Sequence, residues 1–220
     1  MSEVLIPKMK RVSHSKKSFK IPWLNLAIIV LCVCLIIGAN FLNVNLKHFI
    51  VPSKIFSANK LSFDDFVFSF YYIPQVPVVM FVSSFLNKKM ALFPVILYIL
   101  LGLFFIPIFA LGGGIKYIAQ FGFGYILGFI PATIVSTNIL SVKYSFPNMI
   151  KSAVFGVFII HIIGILYMIL IALFNHSGID FIQSWIISQS GLKLIYDLIL
   201  SFVLILIGKY CNSALKFIIE

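Results

Sequence analysis

Charge is scarce in this chain. Only 10% of its 220 residues are Asp, Glu, Lys or Arg, where a soluble domain carries roughly a quarter. Acidic residues are scarcest, six against 17 Lys and Arg. With 61% hydrophobic residues and a mean hydropathy of +1.11, the chain holds more apolar surface than a soluble core of this size can bury. Its solvent is therefore lipid. Cysteine is also sparse. Cys32 and Cys34 sit inside an apolar run, Cys211 lies near the C-terminus, and no C-x-x-C or metal spacing exists, so all three read as free thiols. No G-x-x-x-x-G-K-[ST] pattern occurs, which excludes ATP hydrolysis by that route. No nucleophile–base pair or His/Glu metal motif is visible, so neither an enzyme nor a cofactor is expected. Soluble domains, low-complexity linkers and clear repeats are absent too, leaving one compact membrane bundle over 1–220.

Present instead is a basic excess with a telling distribution. The net charge of +11 is large enough to raise nucleic acid as a partner. However, Lys8, Lys10, Arg11, Lys16, Lys17 and Lys20 all precede the first apolar run, and most other basic residues flank later ones. That is a topology signal, and no nucleic-acid partner is expected. The basic-then-apolar start resembles a signal peptide. No convincing small-x-small cleavage site follows and five more apolar segments do, so it reads as an uncleaved first span behind a cytoplasmic basic stretch, 1–21.

A bilayer-spanning helix needs about 20 apolar residues. Six spans are expected, near 23–42, 66–86, 90–111, 117–141, 149–174 and 190–209, giving an all-α polytopic membrane protein. Pro74 and Pro77 interrupt the second. With the N-terminus inside, cytoplasmic segments hold twelve Lys/Arg and external ones five (Lys47, Lys54, Lys60, Lys116 and Lys193). That bias places both termini in the cytoplasm. The loops around 47–65, the glycine triplet at 112–114 and 176–193 then face outside, where loops on a rigid scaffold commonly carry binding groups.

Within this frame a few residues carry chemistry. Gly113 and Gly114, in the triplet, permit conformations closed to other residues and let a ligand approach main-chain amides. Gly124, Gly128 and Ala132 form a small-residue ridge suited to close helix packing. Tyr125, on the same helix, can present a ring or hydroxyl. Asp197 is the single acidic residue inside a span. Carboxylates at such depth usually face a cavity or a partner. Lys193 stands one turn before it on the same face. Gln75, Gln120 and Lys116 are further polar candidates for a ligand. His161 and Asn138 read as interhelical hydrogen-bond partners.

The order of motifs over 98–129 resembles the signature of the BioY family, the biotin-specific substrate-binding (S) components of energy-coupling-factor (ECF) vitamin transporters. Residues 98–103 read Tyr-Ile-Leu-Leu-Gly-Leu, 107–110 read Pro-Ile-Phe-Ala, the glycine triplet follows, and 122–129 read Gly-Phe-Gly-Tyr-Ile-Leu-Gly-Phe. The resemblance extends over roughly 66–209 and implies an S-component bundle that captures biotin from outside, in a bacterial plasma membrane. It also implies partnership with a transmembrane coupling protein and two ATPase subunits. The family's sixth helix carries Pro-Gly-Asp-Leu-x-Lys, whose Asp and Lys belong to the biotin site. Here Asp197 matches, while Ile195-Tyr196 replaces Pro-Gly and Leu200 replaces the lysine. Lys193, two turns earlier on the same stripe, is the expected substitute cation. The family's Gly-Pro-Thr-Gly turn becomes Gln120-Phe121-Gly122-Phe123, and its docking Ala-x-x-x-Ala on the first helix is met only by Cys34-x-x-x-Gly38. Another vitamin as ligand, and a non-transporting assembly protein, remain the alternatives at this level.

Overall fold

Apolar runs and the prolines that punctuate them set the helices. A computed structural model describes residues 23–49, 62–110 and 112–219. The basic stretch 1–21 lies outside them, as do Lys54 and Lys60. Helix α1 (Trp23–Phe41) leads into a two-stranded antiparallel hairpin, β1 (Val44–Phe49) and β2 (Val67–Tyr72), in register from Val44 opposite Tyr72 to Phe49 opposite Val67. Then follow α2 (Gln75–Phe85), α3 (Leu92–Phe104), α4 (Phe123–Val142), α5 (Phe146–Phe174), α6 (Ile179–Ser190) and α7 (Leu192–Ile219). Among the described residues, α1, α4, α5 and the continuous apolar stretch Ile179–Leu215 are long and apolar enough to cross a membrane. The shorter α2 and α3 complete a helical membrane bundle of six segments. Along α5, Phe155, Phe158, Ile162, Leu166, Leu170 and Leu173 form an exposed stripe at helical spacing, the face such a bundle turns to lipid.

The second segment differs from the expected helix over 66–86. Residues 67–72 are strand, and the helix begins only at Gln75. The prolines give the reason. Pro74 is the N-cap of α2 and Pro77 lies in its first turn, where the missing N–H leaves no bond unmade. Before that turn, Val-Phe-Ser-Phe-Tyr-Tyr is rich in β-branched and aromatic residues that favour a pleated surface. The 11 residues of α2 then extend only about 16 Å at 1.5 Å per residue.

The segment between α3 and α4 is irregular but tightly bonded. The Phe109 ring sits over Gly102, where a β-carbon would clash, and packs against Tyr98, Tyr117 and Phe123. Phe109 and Gly112 exchange backbone hydrogen bonds, and the Gly114 N–H donates to Gly102 O at 2.8 Å. Gly112 and Gly114 have φ of +117° and +85°, a region that favours glycine. Between them, Gly113 packs against the Pro107 and Gly102 backbones. The most extensive helix pairing joins α4 to α5. A β-carbon on Gly128 would meet the Ile160 backbone at 2.9 Å, and one on Gly124 would meet Tyr167 at 2.3 Å. Small residues thus let the two helices approach closely. At one end of the bundle lie the hairpin, the glycine segment and α6; at the other lie the α2–α3 and α4–α5 turns.

Candidate functional site

A cavity of about 250 Å³ opens between the hairpin, the glycine segment and the starts of α4 and α7. That volume sits near the small end of ligand pockets. Asp197, only 4% exposed, lines it and is the hub of a hydrogen-bonded chain. The Tyr72 hydroxyl, at the end of β2, donates to Asp197 Oδ1 at 2.6 Å. His161 Nε2, on α5, lies 3.1 Å from Asp197 Oδ2, and its Nδ1 lies 2.8 Å from Ser190 Oγ. Tyr125 Oη meets the same Ser190 oxygen at 2.8 Å. Donor–acceptor logic orders this chain. A carboxylate only accepts, so Nε2 carries the hydrogen toward Asp197, and the Ser190 hydroxyl, able both to donate and to accept, links His161 Nδ1 to Tyr125. Every member is satisfied, the condition for holding polar groups inside a membrane bundle. Burial first, and Asp197 second, push the Tyr72 phenol above its ordinary range, so it remains a protonated donor at neutral pH.

Around the hub the lining is aromatic and polar by turns. The Tyr125 ring lies over Gly164 and makes an edge-to-face contact with His161, centroids 5.7 Å apart. Gln75 Nε2 donates to the Tyr98 hydroxyl at 2.6 Å. Lys193 lines the cavity, its amine donating to Gln189 Oε1 at 2.9 Å. Trp185, on α6, also lines it, and its buried indole N–H has no hydrogen-bond partner among the described residues. Asn40, at the end of α1, reaches the rim through a hydrogen bond to Ile108 O at 2.5 Å. The hairpin is fastened over the start of α7 a second time: Tyr196 Oη lies 3.0 Å from His48 Nε2 and its ring packs on Phe70 and Tyr72.

Of the residues expected from the sequence, Gln75, Tyr125, Lys193 and Asp197 meet at this cavity. Gly113, Gly114, Lys116 and Gln120 are not among its lining residues. Gly114 uses its N–H within the protein, and Lys116 and Gln120 are exposed. The glycines therefore shape the segment that places Ala110 and Gly122 at the cavity wall. Lys193 stays on the Asp197 side of the cavity but bonds Gln189, while the direct partner of the carboxylate is His161. Tyr72, His161, Trp185 and Ser190 join the arrangement without having been expected there. A buried carboxylate demands a partner, and His161 is the sole histidine within the expected spans; that pairing was the available signal. Asn138 lies exposed on α4.

The fold has a known counterpart. It is similar to the 2.1 Å crystal structure of the S-component for biotin from an ECF-type ABC transporter, with a TM-score of 0.62 over 86% of this chain and 90% of that one. At 16% sequence identity, this likeness speaks for the fold alone. No curated protein matches the sequence. The BioY family model matches residues 15–217, nearly the whole chain, and the chain belongs to the BioY family.

Proposed function

We propose that this protein is the biotin-binding S component of an ECF uptake system, taking biotin from outside into the cavity at Asp197. One observation carries the reading: a closed hydrogen-bonded hub at the end of an apolar bundle, beside an unpartnered donor and a lysine. Biotin's ureido ring needs acceptors for its N–H groups and a donor for its carbonyl. Each Asp197 oxygen receives one protein donor and retains a further acceptor site, and Trp185, in the lining, has a buried N–H without a partner among the described residues that a turn of the ring would offer to the ligand. Gln75, also in the lining, offers an amide carbonyl. Tyr125, Phe129 and Tyr72 line an aromatic slot for the sulfur ring and tail, and Lys193 is the cation for the carboxylate. Both termini face the cytoplasm of a bacterial cell in this reading. Lacking a P-loop, the chain depends on a transmembrane coupling protein and two ATPase subunits for energy.

Leu200, where the family carries a lysine, favours one alternative: a related vitamin as ligand. A thermal-shift screen of water-soluble vitamins on purified protein separates the two. Biotin alone raising the midpoint supports the first reading, and a larger shift by another vitamin replaces it. Co-expression with coupling and ATPase subunits should restore growth of a transport-deficient biotin auxotroph on low external biotin. Failure despite membrane expression and complex assembly contradicts the transport role.

A further inference from the structure

The other end of the bundle holds a second cavity, of about 300 Å³, between the α2–α3 turn, the end of α4 and α7. Asn212 of its wall lies fifteen residues beyond Asp197 on the same helix, about 22 Å along the axis. The floor is buried and partly polar, with Ser83, Thr137 and Leu140, and the mouth carries Lys88 and Lys143. Neither ammonium meets an acid: the one ion pair among the described residues is His161–Asp197, at the far end. Lys209, outside the lining, donates to the backbone oxygen of the lining residue Tyr144 at 3.4 Å. Beside this mouth stand exposed apolar side chains, Val142 82% and Phe146 60% exposed.

We propose that this cavity binds the phosphate-bearing headgroup of an anionic glycerophospholipid. A basic cavity between helices at the cytoplasmic interface suits such headgroups, and the apolar flanks leave the acyl chains in the bilayer. Uncompensated lysines above a polar floor also fit a phosphate better than a zwitterionic headgroup, whose ammonium they would repel. The site is independent of the vitamin's identity, because it shares no lining residue with the Asp197 cavity.

The test is thermal unfolding of purified full-length protein in neutral detergent with phosphatidylglycerol, phosphatidylcholine or inorganic phosphate added. Phosphatidylglycerol should raise the midpoint by several degrees and the other two should not. The Lys88→Gln/Lys143→Gln variant should lose most of that shift. Lys89→Gln/Lys151→Gln, with the same charge change at the same end but outside the cavity, should keep it. Equal losses in both variants would reduce the effect to diffuse surface attraction and overturn the site. An equal shift from inorganic phosphate would overturn the lipid as source. If the double variant fails to fold in phosphatidylcholine, native mass spectrometry of the wild type and Lys143→Gln decides. One retained phosphatidylglycerol in the wild type, weakened in the variant, supports the site; indistinguishable retention overturns it.

Discussion

Asp197 is the residue on which the site turns, because it accepts from two other elements at once. Asp197→Asn keeps the side-chain shape but removes the negative charge to which Tyr72 and His161 are bonded. It should lower stability by about 1.5–3 kcal/mol, the range for hydrogen bonds to a charged group. Denaturation in detergent reads the stability loss, and ligand affinity should fall at least about tenfold, since 1.4 kcal/mol is a factor of ten. Trp185 behaves differently. Its indole N–H has no partner among the described residues, and a Phe ring keeps part of its packing on Phe121 and Phe181, so Trp185→Phe should lower the midpoint less than Asp197→Asn does. Its biotin affinity should drop by about tenfold, one hydrogen bond's net worth. A fall in stability without a fall in affinity would show that the indole serves packing instead. At this scale the carboxylate was legible in the sequence, because charge in an apolar run is conspicuous. His161 was readable as an interhelical partner but not as a member of the site. Helical spacing does not say which residues of α5 and α7 meet.

Between elements, glycines decide how close the helices come. Gly128 on α4 faces Ile160 backbone, which cannot move aside as a flexible side chain can. Gly128→Ala should therefore destabilise by about 1–3 kcal/mol, the usual range for overpacking. Gly38→Ala on α1 meets nothing within 4 Å and should be neutral or stabilising by up to about 1 kcal/mol, from helix propensity. Thermal midpoints of the two variants, measured side by side, check the contrast. The Gly124–Gly128 ridge was legible as a packing face, since small residues four apart share a helical side. The hairpin was not. Val44-Asn45-Leu46-Lys47-His48-Phe49 and Val67 to Tyr72 carry strand preferences, yet their pairing bridges a long connection and depends on α7 beneath it. Apolar content alone made residues 66–72 look like the start of a span. The two prolines that punctuate the segment instead mark where strand gives way to helix.

For the molecule as a whole, hydropathy and the glycine-rich order over 98–129 led to the family and the bundle, and the family model and the shared fold agree. What composition cannot convey is which loop residues fold onto a cavity and which face water. Lys116 and Gln120 are polar and adjacent to the signature, but Lys116, on the short turn of helix at Ile115–Ala119, and Gln120, just after it, are both exposed. Lys193, Gln75 and Tyr125 are held on regular helices whose inner faces converge. The most direct measurement is equilibrium binding of radiolabelled biotin to purified protein, alone in detergent. The account predicts saturable binding of one biotin per chain at micromolar concentration or below, weakened by Asp197→Asn and by Trp185→Phe. Folded wild-type protein that binds no biotin at micromolar concentrations would contradict it.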